Sequence, residues 1–99
     1  MSMFIVRVEL HSAEWSDYDI LHKAMAAQGF TQTIKSDADE EYHLPMAEYS
    51  LIGNFTRNDV LAKAQRAATQ TRRTHGILVS ESNGCSWVGL PKVRQYAMR

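Results

Sequence analysis

An α+β fold, in which two strand-helix-strand units share one antiparallel sheet, is predicted by three features of the sequence. The first is a repeated helix entrance: Trp15-Ser-Asp-Tyr-Asp-Ile20 and Phe55-Thr-Arg-Asn-Asp-Val60 both read aromatic, hydroxyl, two polar residues, aspartate, aliphatic. In each, Ser16 or Thr56 can accept a hydrogen bond from a free N–H of the first turn, Asp19 or Asp59 can bond back, and the aromatic can pack on the aliphatic. The second is the alternation in Phe4-Ile-Val-Arg-Val-Glu-Leu10, which sets Phe4, Val6, Val8 and Leu10 on one face of a half-buried strand and Ile5, Arg7 and Glu9 on the other. The third is turn chemistry between the apolar runs, at Gly29, the acidic stretch 36–41, Gly53-Asn54 and Asn83-Gly84.

Taken in order, the first strand gives way to a helix over 17–28, where Ile20, Leu21, Ala24 and Met25 recur at helical spacing and Gly29 suits a left-handed cap. Residues 30–35 read as a second strand and 36–41 as its hairpin loop. Residues 42–52 return as a third strand, in which Pro45, lacking an N–H, demands a bulge or a bare edge. A second helix follows Thr56, with Val60, Leu61, Ala64, Ala67 and Ala68 as its apolar stripe. Ile77-Leu-Val-Ser80 is a fourth strand, and the Asn-Gly hairpin signal leads to an extra C-terminal strand, Cys85-Ser-Trp-Val88, ended by Pro91. Right-handed crossovers fold this βαββαβ order into the ferredoxin-like arrangement, with both helices on one face of the sheet. One domain over 1–91 and a C-terminal tail over 92–99 are expected.

Composition narrows the function classes. The chain has 99 residues, enough for one small core, and a domain of this size gains from self-association, so a homodimer is expected. Cys85 is the only cysteine, which excludes an intramolecular disulfide and suits a reducing cytoplasm. The apolar run 3–6 is cut by Arg7 and Glu9, too short for a secretory leader or a membrane span. Formal charge is zero overall yet divided, about −6 over residues 1–50 and +6 over 51–99. Such asymmetry points to an anionic partner, to head-to-tail assembly, or to nothing beyond a mixed surface.

Two groups of residues could carry chemistry. Glu9 and His11 are two apart at the end of the first strand, a spacing that shares one face; a carboxylate and an imidazole there can exchange protons or contribute to a divalent metal site, and no other cofactor is indicated. His75 is a further proton-transfer candidate. Arg57, Lys63, Arg66, Arg72 and Arg73 concentrate cationic side chains on the second unit, where planar guanidinium groups suit phosphates. Each has a plainer account, as a solvated strand end or a helix terminus stabilised by cations. A phosphate-cradling glycine loop, a Ser-His-Asp order and a CxxC pair are all missing, which excludes those motif classes.

The stretches FIVRVEL, WSDYDILHKAM, the Gly-Phe after the first helix and YHLPMAEY resemble the GhoS antitoxin family of small bacterial proteins, over about residues 3–90. The resemblance implies a ferredoxin-like fold, a dimer and an endoribonuclease of a toxin-antitoxin system that cleaves a toxin messenger. The fold also resembles the CRISPR-adaptation nucleases, whose first strand ends in an aspartate where this chain offers Glu9. The leading expectation is a cytoplasmic RNA-binding protein in which the basic residues hold phosphates and Glu9, His11 and His75 act on protons. The alternative is a non-catalytic, dimeric interaction module that binds a protein partner.

Overall fold

The structure is a computed structural model that describes residues 1–93. Its elements are β1 (Ser2–Leu10), α1 (Trp15–Ala27), β2 (Thr33–Lys35), β3 (Glu41–His43), β4 (Glu48–Gly53), α2 (Arg57–Thr69) and β5 (His75–Ser82). The fold is α+β and ferredoxin-like. An antiparallel sheet of order β4-β1-β5 carries the core on one face, and β2-β3 form a small second sheet joined to it where Thr31 and Ser50 exchange backbone bonds of 2.9 and 2.8 Å.

β1 is central because both of its edges are paired, with β4 and with β5, and one of its faces carries the core. Phe4, Val6, Val8 and Leu10 are buried as the alternation predicts, packed with Leu21, Ala24 and Met25 of α1 and Val60, Ala64, Ala67 and Ala68 of α2. The alanines of α2 bring its backbone close to the sheet, and Tyr49 and Leu51 of β4 complete the layer.

The two helix entrances are built differently. At α2, Thr56 Oγ1 accepts from the Asp59 N–H at 3.0 Å and Asp59 returns the bond to the Thr56 N–H at 3.0 Å, as its sequence predicts. At α1 the helix starts two residues earlier than Ser16 implies: Glu14 is the N-cap, and Asp17 rather than Asp19 accepts from its N–H at 2.9 Å. The reason is tertiary. Asp17 in that position also meets Arg73, whose Nε donates to Asp17 Oδ2 at 2.8 Å. Trp15 then falls inside the first turn and stands exposed instead of packing on Ile20. The exit of α1 follows expectation, with Gly29 at φ +96 and Phe30 N–H returning to Met25 O at 3.1 Å.

Two strands also differ from the sequence reading. The expected third strand is divided at 44–47 into β3 and β4, because Pro45 interrupts the ladder and Ala47 turns the chain at φ +66. Cys85-Ser-Trp-Val88 is not a strand. The C-terminal pairing lies further on, where His43 N–H donates to Pro91 O and Val93 N–H to Glu41 O, both at 2.8 Å, and Tyr42 bridges Lys92. Lys92 Nζ, 2.7 Å from Glu40 Oε2, fixes this segment, and Trp87 meets Tyr42 edge-on with ring centroids 5.4 Å apart. The expected tail begins inside this pairing at Lys92, and its remainder, 94–99, lies outside the described residues.

The capping geometry separates two residues that the sequence treats alike. Thr56→Ala is expected to lower stability by about 1 kcal/mol, the usual value of an N-cap side chain. Ser16→Ala, which removes an exposed hydroxyl inside a helix, should change it by under about 0.5 kcal/mol. Urea denaturation of the two variants and the parent measures the difference.

Candidate functional site

β1 outlasts β4. The register of β4 ends with Glu48 opposite Arg7, whereas β5 continues beside β1 as far as His75 opposite Leu10. Val8, Glu9 and Leu10 therefore have a strand on one side only. The space on the other is bounded by the start of α1 and by the 46–47 turn, whose Ala47 O accepts from the Val8 N–H at 3.0 Å. It forms an open cleft of about 760 Å³, lined among others by Arg7, Glu9, Trp15, Tyr18, Met46 and Leu78.

Glu9 and His11 do share a face. His11 Nε2 lies 3.7 Å from Glu9 Oε1, its Nδ1 lies 3.2 Å from Thr74 Oγ1, and its backbone N–H donates to Thr74 O at 2.9 Å, extending the strand spacing past Leu10. His75 is not part of this group. It pairs with Leu10, whose side chain enters the core, so His75 belongs to the helix-bearing face and Glu9 to the open one. Its Nδ1–H donates to Arg73 O at 2.9 Å, and Nε2 has no hydrogen-bond partner among the described residues. Glu9 and His11 offer two metal ligands, and among the described residues no cluster of three or more His, Cys, Asp or Glu side chains could hold a metal ion.

The basic residues do not form one stripe. Arg57 and Arg66 lie nine residues apart on α2, which puts them on opposite sides of the helix and about 13 Å apart along it. Lys63 is turned toward α1, with Nζ 3.4 Å from Gln28 O and 5.3 Å from the centroid of the Phe55 ring. Arg73 is committed to Asp17. That carboxyl is held below its usual range first by the Glu14 N–H and then by Arg73. Arg72 is exposed and sits at φ +62, where the chain turns out of α2. Arg57, Arg66 and Arg72 are thus the exposed cations of the set that make no ion pair among the described residues.

One polar cluster escaped the sequence. His22, which reads as a solvent-facing helix residue, is half-buried, and its Nδ1 lies 2.6 Å from the hydroxyl of Tyr49. Tyr49 is fully buried, and burial pushes its phenol far above the ordinary range. Burial likewise lowers the His22 imidazole, partly opposed by Asp19. The neutral pair satisfies a hydroxyl that would otherwise be stranded in the core. The apolar side chains of Tyr49 and Leu51 at strand spacing and the place of His22 one position beyond Leu21 were the available signals; neither names the partner.

No family model and no curated protein sequence matches the chain. No helix among the described residues is long and apolar enough to cross a membrane.

The Tyr49–His22 bond generates a stability prediction with a pH signature. His22→Ala leaves the Tyr49 hydroxyl buried without its partner and should cost about 1–3 kcal/mol, part of which returns in the His22→Ala/Tyr49→Phe double variant. Because the folded imidazole resists protonation relative to its ordinary value of 6.5, the unfolded chain binds more protons as pH falls through that value. Stability attributable to His22 is thus complete above it and declines below. Denaturation between pH 7.5 and about 5 should show this slope in the parent and a flatter one in His22→Ala.

Proposed function

We propose that the chain is a non-catalytic interaction module that holds an extended segment of a protein partner in the cleft beside the end of β1. The observation that carries this reading is the lining. Trp15, Met46 and Leu78, exposed by 75%, 49% and 64%, stand around Arg7 and Glu9. Apolar side chains gathered at a concave site gain about 25 cal/mol for each Å² that a partner covers.

The main chain supports the same reading. Past the Ala47 O that takes the Val8 N–H, β1 has no β4 partner, so an extended peptide entering the cleft lies beside the strand end at Leu10. Charge then selects the partner. Glu9 and Glu14 oppose Arg7 in the lining, which favours an apolar anchor flanked by Lys or Arg and disfavours a phosphate backbone.

A second reading, RNA binding with cleavage of a toxin messenger in the manner of the GhoS family, is favoured by a different observation. Arg57, Arg66 and Arg72 are exposed and free of ion pairs among the described residues. On that reading they hold phosphates, and the Glu9–His11 pair, with or without a divalent metal, moves the proton of the attacking hydroxyl.

Panning a displayed random-peptide library on the purified protein separates the two. Peptides with an apolar anchor beside Lys or Arg are the expected product, and Trp15→Ala should weaken them at least about tenfold while Arg57→Ala/Arg66→Ala does not. Failure to enrich such peptides, together with salt-dependent binding of mixed RNA that the double arginine variant weakens, transfers the function to the second reading.

A further inference from the structure

Among the described residues the outer edge of β5 is unpaired. In the sheet order β4-β1-β5 this strand has β1 on one side and no described strand on the other, yet it runs eight residues, His75-Gly-Ile-Leu-Val-Ser-Glu-Ser82, with no proline, lysine or bulge to discourage pairing. Native edges of this length normally carry such a device. We infer that β5 is a self-pairing edge, and that a second copy of this chain adds its own β5 antiparallel across a two-fold axis at Leu78.

Backbone parity selects the register. His11 N–H donates to Thr74 O, and the unbroken β1–β5 ladder continues that pattern, so residues 76, 78, 80 and 82 turn their N–H and C=O groups toward β1. Residues 75, 77, 79 and 81 turn theirs outward. An antiparallel pair related by a two-fold must therefore place odd positions opposite odd positions. Centring the axis on Ile77 leaves Glu81 unmatched, and centring it on Val79 leaves His75 unmatched and sets Ile77 against a carboxylate. The axis at Leu78 alone uses all four positions, pairing 75 with 81 and 77 with 79, and makes about eight interchain hydrogen bonds.

The side chains agree with that register. On the helix-bearing face it sets Ile77 against Val79, both half-buried at the margin of the core, and His75 against Glu81 of the second copy. The Nδ1–H of the imidazole is committed to Arg73 O, so its Nε2 faces the second copy, whose Glu81 accepts from its own Ser2 Oγ at Oε2 and presents its other oxygen. On the open face the register brings the two Leu78 side chains together, each 64% exposed in the single chain. The result is one continuous six-stranded sheet. It goes beyond the peptide-binding reading, with which it shares Leu78.

Sedimentation equilibrium and disulfide capture test the proposal on the full chain. The parent protein should approach twice the mass of one chain at tens to hundreds of micromolar, while Leu78→Lys, folded by circular dichroism, should remain a monomer at the same concentrations. In a Cys85→Ser background, Leu78→Cys should cross-link on mild oxidation, since directly opposed residues at a non-hydrogen-bonded pair lie about 4.5 Å apart at Cα. Ser80→Cys, on the same face but offset by about 13 Å from its counterpart, should not. A parent that stays monomeric to millimolar concentration, a Leu78→Lys variant that still dimerises, or preferential cross-linking through position 80 overturns the inference. The peptide-binding reading is tested at Trp15, which lies in α1 and outside the β5 edge, so the two readings fail separately.

Discussion

The inner face of β1 is the constraint on which the rest of the molecule depends. Phe4, Val6, Val8 and Leu10 share one cluster with side chains of both helices, β4 and β5, and each is almost completely excluded from water. Because a strand alternates, fixing these four side chains inward also fixes Arg7 and Glu9 outward. A one-residue slip would bury a guanidinium and a carboxylate and expose four large apolar groups, an error of many kcal/mol. The register of the sheet, the seating of α2 through its alanines and the orientation of the cleft residues are therefore consequences of one periodicity.

How far the fold was legible depends on where the deciding partner lies in the chain. The entrance to α2 is legible because Thr56 and Asp59 are three residues apart and satisfy each other. The entrance to α1 has the same local grammar and a different outcome. There Asp17 answers to Arg73, 56 residues away, and the ion pair together with the Glu14 N–H outweighs the cap that Ser16 offers. Pro45 announced an irregularity correctly, but a proline says only that a ladder bond is missing. It cannot say that the residues before it leave for a separate hairpin. The C-terminal pairing was misplaced for a related reason: Asn83-Gly84 is a hairpin signal, yet Ser82 Oγ is engaged by the Gly84 N–H at 3.0 Å and bonds Gly84 O at 3.0 Å, closing a local turn instead.

The site divides along the same line. Glu9 and His11 could be grouped from their spacing alone, because an i, i+2 relation on a strand is a local fact. His75 could not, since its face is set by pairing with Leu10. The basic residues looked like one patch only while their azimuths on α2 and their partners were unknown; Lys63 and Arg73 are occupied by Gln28, Phe55 and Asp17. The Tyr49–His22 bond is the strongest case. A buried hydroxyl must find a partner, and the sequence shows neither that Tyr49 is buried nor that His22 is the nearest acceptor.

The cleft and the β5 edge have one origin, a mismatch of strand lengths around β1. β4 is six residues long and stops opposite Arg7, while β5 is eight and follows β1 to its last residue. The short neighbour leaves a notch whose walls are supplied by other elements, so what it recognises is decided by side chains such as Trp15, Met46 and Glu9. The long neighbour leaves an uninterrupted row of backbone donors and acceptors, which recognises another strand with little regard to its side chains except at the ends. Side-chain selection suits a particular ligand, and backbone selection suits a copy of the same strand, because only a self-related register guarantees that donors, acceptors, His75 and Glu81 all meet their complements. Leu78 stands between the two features, in the lining of the cleft and on the axis of the edge. Through it, two chains joined at β5 bring their clefts to the same face of one sheet.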